Sequence, residues 1–406
     1  MTKMALEGIT VADFGQTWAG PHAGKLLADM GARVIKIESM KRMDVIRSLP
    51  PWADEENRTL NNSGYYNWLN RNKFGVTLDL TTPRGSELAK EIIKISDVLI
   101  ENFSRGVMDR FGLDYASVKE VNPKIIYVAL TALGEDGPFR DFIMYGRPQI
   151  YMSGISFVTG YPHMQPHPTN ISWGDPVGAN HSVFAILSAL HHRKKSGQGQ
   201  YVELSQWECL IGISPENIMD YTLNKRVRNR QANRDEFMAP HNAYRCSGGD
   251  LKWVTIAVAG DEEWNALCRA MGNPEWTHDE KFTDTLSRWK NQEEMDRHIE
   301  AWTVGYTPYE VTEMLQKVGV AAFPCLSNRG LVEDPHLNDR DFFEEYDHPE
   351  LGNTINDGLL WKMSKTPGKI RGGAPLVGEH NNYVFGELLG IPQDEIDRLA
   401  EEKVIY

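Results

Sequence analysis

Short β-branched runs alternate with amphipathic stretches along the first half of the chain, and this rhythm sets the fold class. Strand patterns occupy Gly8–Phe14, Arg33–Glu38, Gly75–Leu80, Asp97–Asn102, Lys124–Leu130 and Tyr201–Leu204. Between them His22–Met30 and Pro83–Ser96 repeat apolar residues at helical spacing. Strands that are apolar throughout, not alternating, are buried on both faces, so the pattern predicts an α/β domain built on a parallel sheet. After Pro176 the residues Val177, Val183, Phe184, Leu187 and Leu190 mark another helix, with Asp175 expected at its N-cap and Pro176 at its first position.

The rhythm changes near residue 225. From Lys225 to Pro240 the chain is polar and basic without an apolar period, the signature of a linker or mobile loop. A second unit follows from Tyr244 to Pro335, with a strand at Trp253–Val258 and helical stretches rich in Glu, Trp and Leu, and the tail ends in a helix over Asn382–Leu389. The expected division is a large domain of residues 1–222 and 340–406 and a small domain of residues 223–339 with its linkers. A chain of 406 residues is too long for one core.

Composition narrows the function. Hydrophobic residues at 41% and charged residues at 24% are ordinary for a globular protein. No apolar run approaches the ~18 residues of a membrane span, and Met1–Glu7 lacks the apolar core of a signal peptide, so a cytoplasmic protein without membrane association is expected. A net charge of -13 argues against nucleic acid as a partner. Cys209, Cys246, Cys268 and Cys325 form no Cys-x-x-Cys pair and no His-x-x-x-His or His-Glu-x-x-His spacing lies on a helical pattern, so no metal is expected.

Basic residues gather near the carboxyl ends of the predicted strands: Lys36, Lys41, Arg42 and Arg47, then Arg71 and Lys73, then Arg105 and Arg110. Open α/β sheets bind ligands at those ends, and local positive charge there suits a phosphorylated molecule. The first turn, Gly15–Pro21, lies where phosphate loops occur, yet Gly15, Gly20 and Gly24 do not fit the dinucleotide fingerprint. The segment Ser172–Trp173–Gly174–Asp175–Pro176 presents one carboxylate on a turn, flanked by His163, His167 and His181. A helix start favours the ionised form, and a positioned carboxylate can attack an acyl group.

Asp13–Phe14, Ala19–Gly20–Pro21, Gly31–Glu38, Asn72–Lys73, Asp97–Phe103, Gly174–Asp175, Gly197–Gln200, Glu333–His336 and Ala374–His380 occur in an order that resembles the class III CoA-transferases, the formyl-CoA transferase and carnitine CoA-transferase type. The likeness spans nearly the whole chain. It implies a Rossmann-like large domain completed by the C-terminal tail, a smaller α/β domain, and a ring-like chain interlocked as a dimer with itself or a homologous subunit. It also implies Asp175 as the catalytic residue, with CoA contacts at Trp18, Ala19, Asn72, Lys73, Asn102, Phe103, Ser104, Arg110 and the turn from Thr131 to Gly134. Ser39 stands where a basic residue occurs in the family, so Lys41 or Arg42 is expected to meet the nucleotide phosphates. CoA thioesters and carboxylic acids are the implied substrates, with no tightly bound cofactor.

Gly248–Gly249 is a tight turn and not the four-glycine loop of the formyl-CoA transferases, so a formyl/oxalate pair is not expected. Trp18, Phe157, Tyr161, His163 and Trp173 point to an aromatic acceptor site. Within the family the pattern looks most like the aspartate-bearing subunit of the benzylsuccinate-type enzymes of anaerobic toluene degradation, which implies succinyl-CoA as donor and an arylsuccinate as acceptor. Two alternatives stay open at this level: an acyl-CoA racemase of the same fold working through a His/Asp pair, and a CoA-binding subunit without chemistry of its own.

Overall fold

The computed structural model describes residues 3–406. It divides into two compact units, one of residues up to Ser156 with Pro168–Val227 and Leu337–Tyr406, the other of Phe157–His167 with Arg228–His336. The segment Phe157–His167, which the hydrophobic pattern leaves in the large domain, belongs to the second unit.

The first unit unfolds in chain order as β1 (Thr10–Asp13), α1 (Ala19–Asp29), β2 (Arg33–Glu38), α2 (Gly64–Asn70), β3 (Phe74–Thr77), α3 (Pro83–Lys94), β4 (Val98–Glu101), α4 (Val107–Arg110), α5 (Tyr115–Val121), β5 (Ile126–Thr131) and α6 (Gly146–Met152). After the single turn α7 (Ile155–Val158) come α8 (Gly174–Ser196), β6 (Gln200–Ser205), α9 (Gln206–Gly212) and α10 (Pro215–Asn224). The six strands form one parallel sheet in the order β3-β2-β1-β4-β5-β6.

Successive residues of a strand point to opposite faces, and here both faces are covered. Ala12, Ile35, Leu99 and Tyr127 enter a core shared with Leu88 and Ile92 of α3. Their neighbours Val11, Val34, Val98 and Val128 enter the opposite core with Ala23 and Leu27 of α1 and Ile186 of α8. The C-terminal tail joins the first core through Val384, Phe385, Ile396, Leu399, Val404 and Ile405. Val404 O accepts from Asp79 N at 2.8 Å, which ties the tail beside β3. The predicted closing helix is a π-helix over Asn382–Leu388.

In the second unit, Arg228–Pro240 holds no helix or strand. β7 (His241–Arg245), β8 (Trp253–Ala257), α11 (Asp261–Ala270), α12 (Thr285–Lys290), α13 (Gln292–Thr303), α14 (Pro308–Gln316) and β9 (Ala321–Pro324) follow. The antiparallel sheet β7-β8-β9 packs Tyr244, Val254, Ile256 and Ala322 against Trp264, Leu267, Ile299 and Leu315 of the helices. Two short helices, α15 (Asn328–Val332) and α16 (Pro335–Asp339), lead back to the first unit, where β10 (Phe343–His348) and β11 (Gly352–Asp357) pair as an antiparallel hairpin and α17 (Gln393–Glu401) ends the fold.

Candidate active site

Strand order reverses between β1 and β4, so the loops that leave their carboxyl ends diverge and open a crevice, the place where open α/β sheets take ligands. The loop after β1 is held from two sides. Asn102, just beyond β4, accepts from Gln16 N at 2.7 Å and donates to Gln16 O at 2.8 Å. Asp44 accepts from Thr17 N at 2.9 Å, and Thr17 sits at φ 66°, a left-handed conformation that a β-branched residue adopts only when its surroundings impose it. Lys36 clamps the same loop from beneath, bonding Asp44 at 3.2 Å as well as Gly15 O.

This anchored loop leads into α1, where the Ala19 N–H faces the carboxylate of Asp175 and pulls its pKa down. Asp175 is at the second position of α8, inside its first turn, with Trp173 at the N-cap and no side-chain cap. The sequence expectation of an N-cap aspartate held ionised by the helix is therefore corrected. Burial raises its pKa to about 7, against the lowering pull of the Ala19 N–H and its own backbone N–H. Removing a carboxylate's water costs more than the helix terminus and these two donors return. A carboxylate of that basicity is a better nucleophile than a solvated one.

Two glycines let the chain close around the carboxylate. A Cβ on Gly146, at the start of α6, would collide with Asp175 Oδ2 and with the Ser172 side chain. A Cβ on Gly174 would collide with Oε1 of Gln149, a buried side chain whose Nε2 donates to Gln206 at 3.2 Å. Tyr65 of α2 also faces this region: burial, and then the Asp175 charge, push its hydroxyl pKa up. Tyr65 meets Trp18 edge to face at 5.5 Å. Tyr65, Gly146 and Gln149 carry no motif along the chain; for Tyr65 the one signal is the aromatic run Tyr65–Tyr66–Asn67–Trp68 before Asn72.

The other expected contacts fall into four groups. Trp18, Ala19, Asn102, Phe103 and Ser104 cluster on the two facing loops, and the exposed Arg110 ends α4 behind them. In the third loop Thr131 accepts from Gly134 N at 3.0 Å. Lys41 and Arg42 are exposed beyond β2, Lys41 paired with Asp79 at 2.6 Å. Asn72 and Lys73, by contrast, are buried and saturated by protein partners. Lys73 bonds Asp13, Pro21 O and Asn70 at 2.8–2.9 Å, and Asn72 bonds Asp29, Lys369 O and Arg371 N at 2.6–3.1 Å. Both brace the site from inside the core.

The basic cluster read from sequence also resolves differently. Lys36, Arg47, Arg71 and Lys73 are spent on the buried carboxylates of Asp44, Glu38, Asp29 and Asp13. Charge remains on the surface at Lys41, Arg42, Arg105 and Arg110, with Arg105 bridging Asp141 at 3.2 Å. Phe157, Tyr161 and His163 belong to the second unit, where Arg230 lies over the Phe157 ring at 5.5 Å and Tyr161 lies 6.0 Å from His163. Trp173 remains beside Asp175 in the first. Among the described residues no group of His, Cys, Asp and Glu side chains is placed to hold a metal ion, and no helix is long and apolar enough to cross a membrane.

Comparison with known proteins agrees with this architecture. The succinyl-CoA–D-citramalate CoA-transferase of Chloroflexus aurantiacus is 33% identical over 402 residues, covering 98% of both chains. The β subunit of succinyl-CoA–L-malate CoA-transferase from the same organism is 32% identical over 410 residues, covering 100% of this chain and 99% of that one. A crystal structure of a CAIB/BAIF family protein from Brucella suis superposes with a TM-score of 0.87 at 29% identity, over 96% of this chain and 100% of the other. The family model for CoA-transferase family III matches residues 6–381. The chain is a CoA-transferase of family III.

Proposed function

We propose that this enzyme moves CoA from succinyl-CoA to a dicarboxylic acid of the arylsuccinate type, with Asp175 carrying the CoA covalently between the two. The observation that carries this is the desolvated carboxylate of Asp175 at the crevice, its pKa raised to about 7 and its surroundings closed by Gly146 and Gly174. Asp175 attacks the thioester carbonyl, forming a mixed anhydride and expelling CoA thiolate. The thiolate then attacks the aspartyl carbonyl, releasing succinate and leaving an aspartyl-CoA thioester. The acceptor carboxylate displaces the thiolate to form a second anhydride, and thiolate attack on the acceptor carbonyl releases the new acyl-CoA and restores the Asp175 carboxylate. Each thioester is exchanged for another, so the sequence needs no ATP.

The donor is inferred from relatives named for succinyl-CoA. The acceptor is inferred from the aromatic character around Trp18 and Tyr65 beside Asp175. Trp18, Ala19, Asn102, Phe103, Ser104, Arg110, Thr131 and Gly134, with Lys41 and Arg42 toward the phosphates, are the proposed CoA contacts. An interlocked pair with a second copy or a homologous subunit is the proposed assembly, supported by relatives named as α and β subunits of one transferase.

The test is mass spectrometry after incubation with succinyl-CoA followed by borohydride, which reduces an aspartyl thioester to the alcohol. A loss of mass confined to the Asp175 peptide is expected. An unmodified Asp175, together with deuterium uptake at the α-carbon of an acyl-CoA in deuterated water, would turn the assignment to a racemase.

A further inference from the structure

A cavity of about 400 Å³ lies in the first unit between α2 and the β10–β11 hairpin. Four aromatic rings, Trp52, Tyr65, Trp68 and Tyr346, line it beside Ile355 and Asn356 of β11. None of these is an aromatic residue that the sequence pattern singled out. The cavity is tied to the nucleophile through ring contacts and the backbone. Tyr65 packs edge-on to Trp18 at 5.5 Å, Trp18 does the same to Trp68 at 6.4 Å, and the N–H of the next residue, Ala19, faces Asp175.

The walls are braced and not loose. The Trp68 indole N–H donates to Asp357, and Lys25 lies over the Trp68 ring at 4.4 Å. Asn356 donates to the Tyr346 hydroxyl at 3.4 Å. Arg58 covers the Trp52 ring at 4.0 Å. A preformed concave site of this size, apolar with a few polar groups, is the form that small-molecule pockets take.

We infer that this cavity receives the apolar substituent of the acceptor acid, an aryl ring, while the reacting carboxylate reaches Asp175 past Tyr65. Aromatic walls favour a ring through offset and edge-to-face contacts. The ring's exclusion from water is then the source of preference for an aryl acid over succinate. The inference rests on the proposed arylsuccinate acceptor.

The test uses the full chain with any copurifying partner and compares kcat/KM for benzylsuccinate and for succinate, the latter followed as exchange of labelled succinate with succinyl-CoA. Ile355 is 54% exposed, so Ile355→Trp fills the cavity from a position that tolerates size. Ile355→Trp is expected to lower the benzylsuccinate-to-succinate ratio by about 10-fold or more, carried by KM. Trp52→Ala, which removes a wall, is expected to move preference toward bulkier aryl acids. An unchanged ratio in both variants, with benzylsuccinate turned over by the wild type, would overturn the cavity assignment alone. A wild type that exchanges succinate but gives no turnover with benzylsuccinate would overturn the aryl acceptor and this inference with it, leaving the Asp175 chemistry standing.

Discussion

Asp175 shows at the scale of one residue how burial outweighs a helix terminus. A carboxylate whose pKa is about 7 in the fold and 3.8 as an unperturbed group disfavours ionisation in the native state. The native state therefore holds its proton more tightly than the unfolded chain does. The stabilisation this gives is complete below about pH 4 and is lost as pH rises through about 7. Asp175→Asn, which cannot ionise, is expected to match the wild type in stability at pH 4 and to exceed it at pH 8 by on the order of 2 kcal/mol, measured by urea unfolding at the two pH values. The same substitution is expected to remove transfer activity by at least about 1,000-fold. In the wild type, capture of succinyl-CoA as the aspartyl adduct should rise with pH to a half-maximum near 7, because only the ionised group attacks. A flat profile between pH 5.5 and 8.5 would contradict that assignment.

Between elements, the site is assembled from close approaches and buried ion pairs. The first turn of α8 touches α6 at Gly146, so a methyl group there forces either the Asp175 carboxylate or the helix to move. Gly146→Ala is expected to cost about 1–3 kcal/mol in stability and, by displacing the nucleophile, roughly 100-fold in kcat, read from thermal unfolding and steady-state rates. Lys73 joins β3 to β1 through Asp13, and both side chains are fully buried. Burial lowers the Lys73 pKa to about 8 despite that partner. Lys73→Ala removes the directly paired counter-ion of Asp13, leaving only the more distant charge of Lys36, and is expected to destabilise the fold by about 3–5 kcal/mol, measured by denaturant unfolding. A cost below about 1 kcal/mol would mean that Asp13 finds other partners.

Across the whole molecule, the tail is part of the core that carries the site. Phe385 and Val404 lie in the same apolar layer as Ile35 and Leu99 of the sheet, and Thr77 of β3 donates to Tyr406 O at 2.7 Å. Phe385→Ala is therefore expected to cost about 3–5 kcal/mol, as a buried ring removed from a strand layer does, in urea unfolding of the full chain. A chain ending before residue 373 should lose the cooperative unfolding transition, because the exposed layer has no other cover. The second unit has a separate apolar core around Trp264, Leu267 and Leu315.

What the sequence determined by itself is whatever local pattern and motif order carry. The six strands, the α/β class, the helix after Pro176 and the family all follow from apolar runs and separated motifs, because the inner strands, buried on both faces, leave no alternation to misread, and the edge strand β6 is marked by its own short apolar run. Tertiary structure decided which polar groups face water. Lys36, Arg71 and Lys73 read as surface charge along the chain, yet each finds a carboxylate from another segment, Asp44 in the loop after β2, Asp29 at the end of α1 and Asp13 on β1, and is withdrawn into the core. Asp175 read as a helix cap, and its basicity came from burial in the folded chain, against the lowering pull of the Ala19 N–H of α1. Tyr65 and Gly146 acquired their places beside Asp175 in the same way, across 110 and 29 residues of chain, from the numbering. Spacing along a chain encodes periodicity and capping, whereas desolvation and charge pairing depend on which segments pack together.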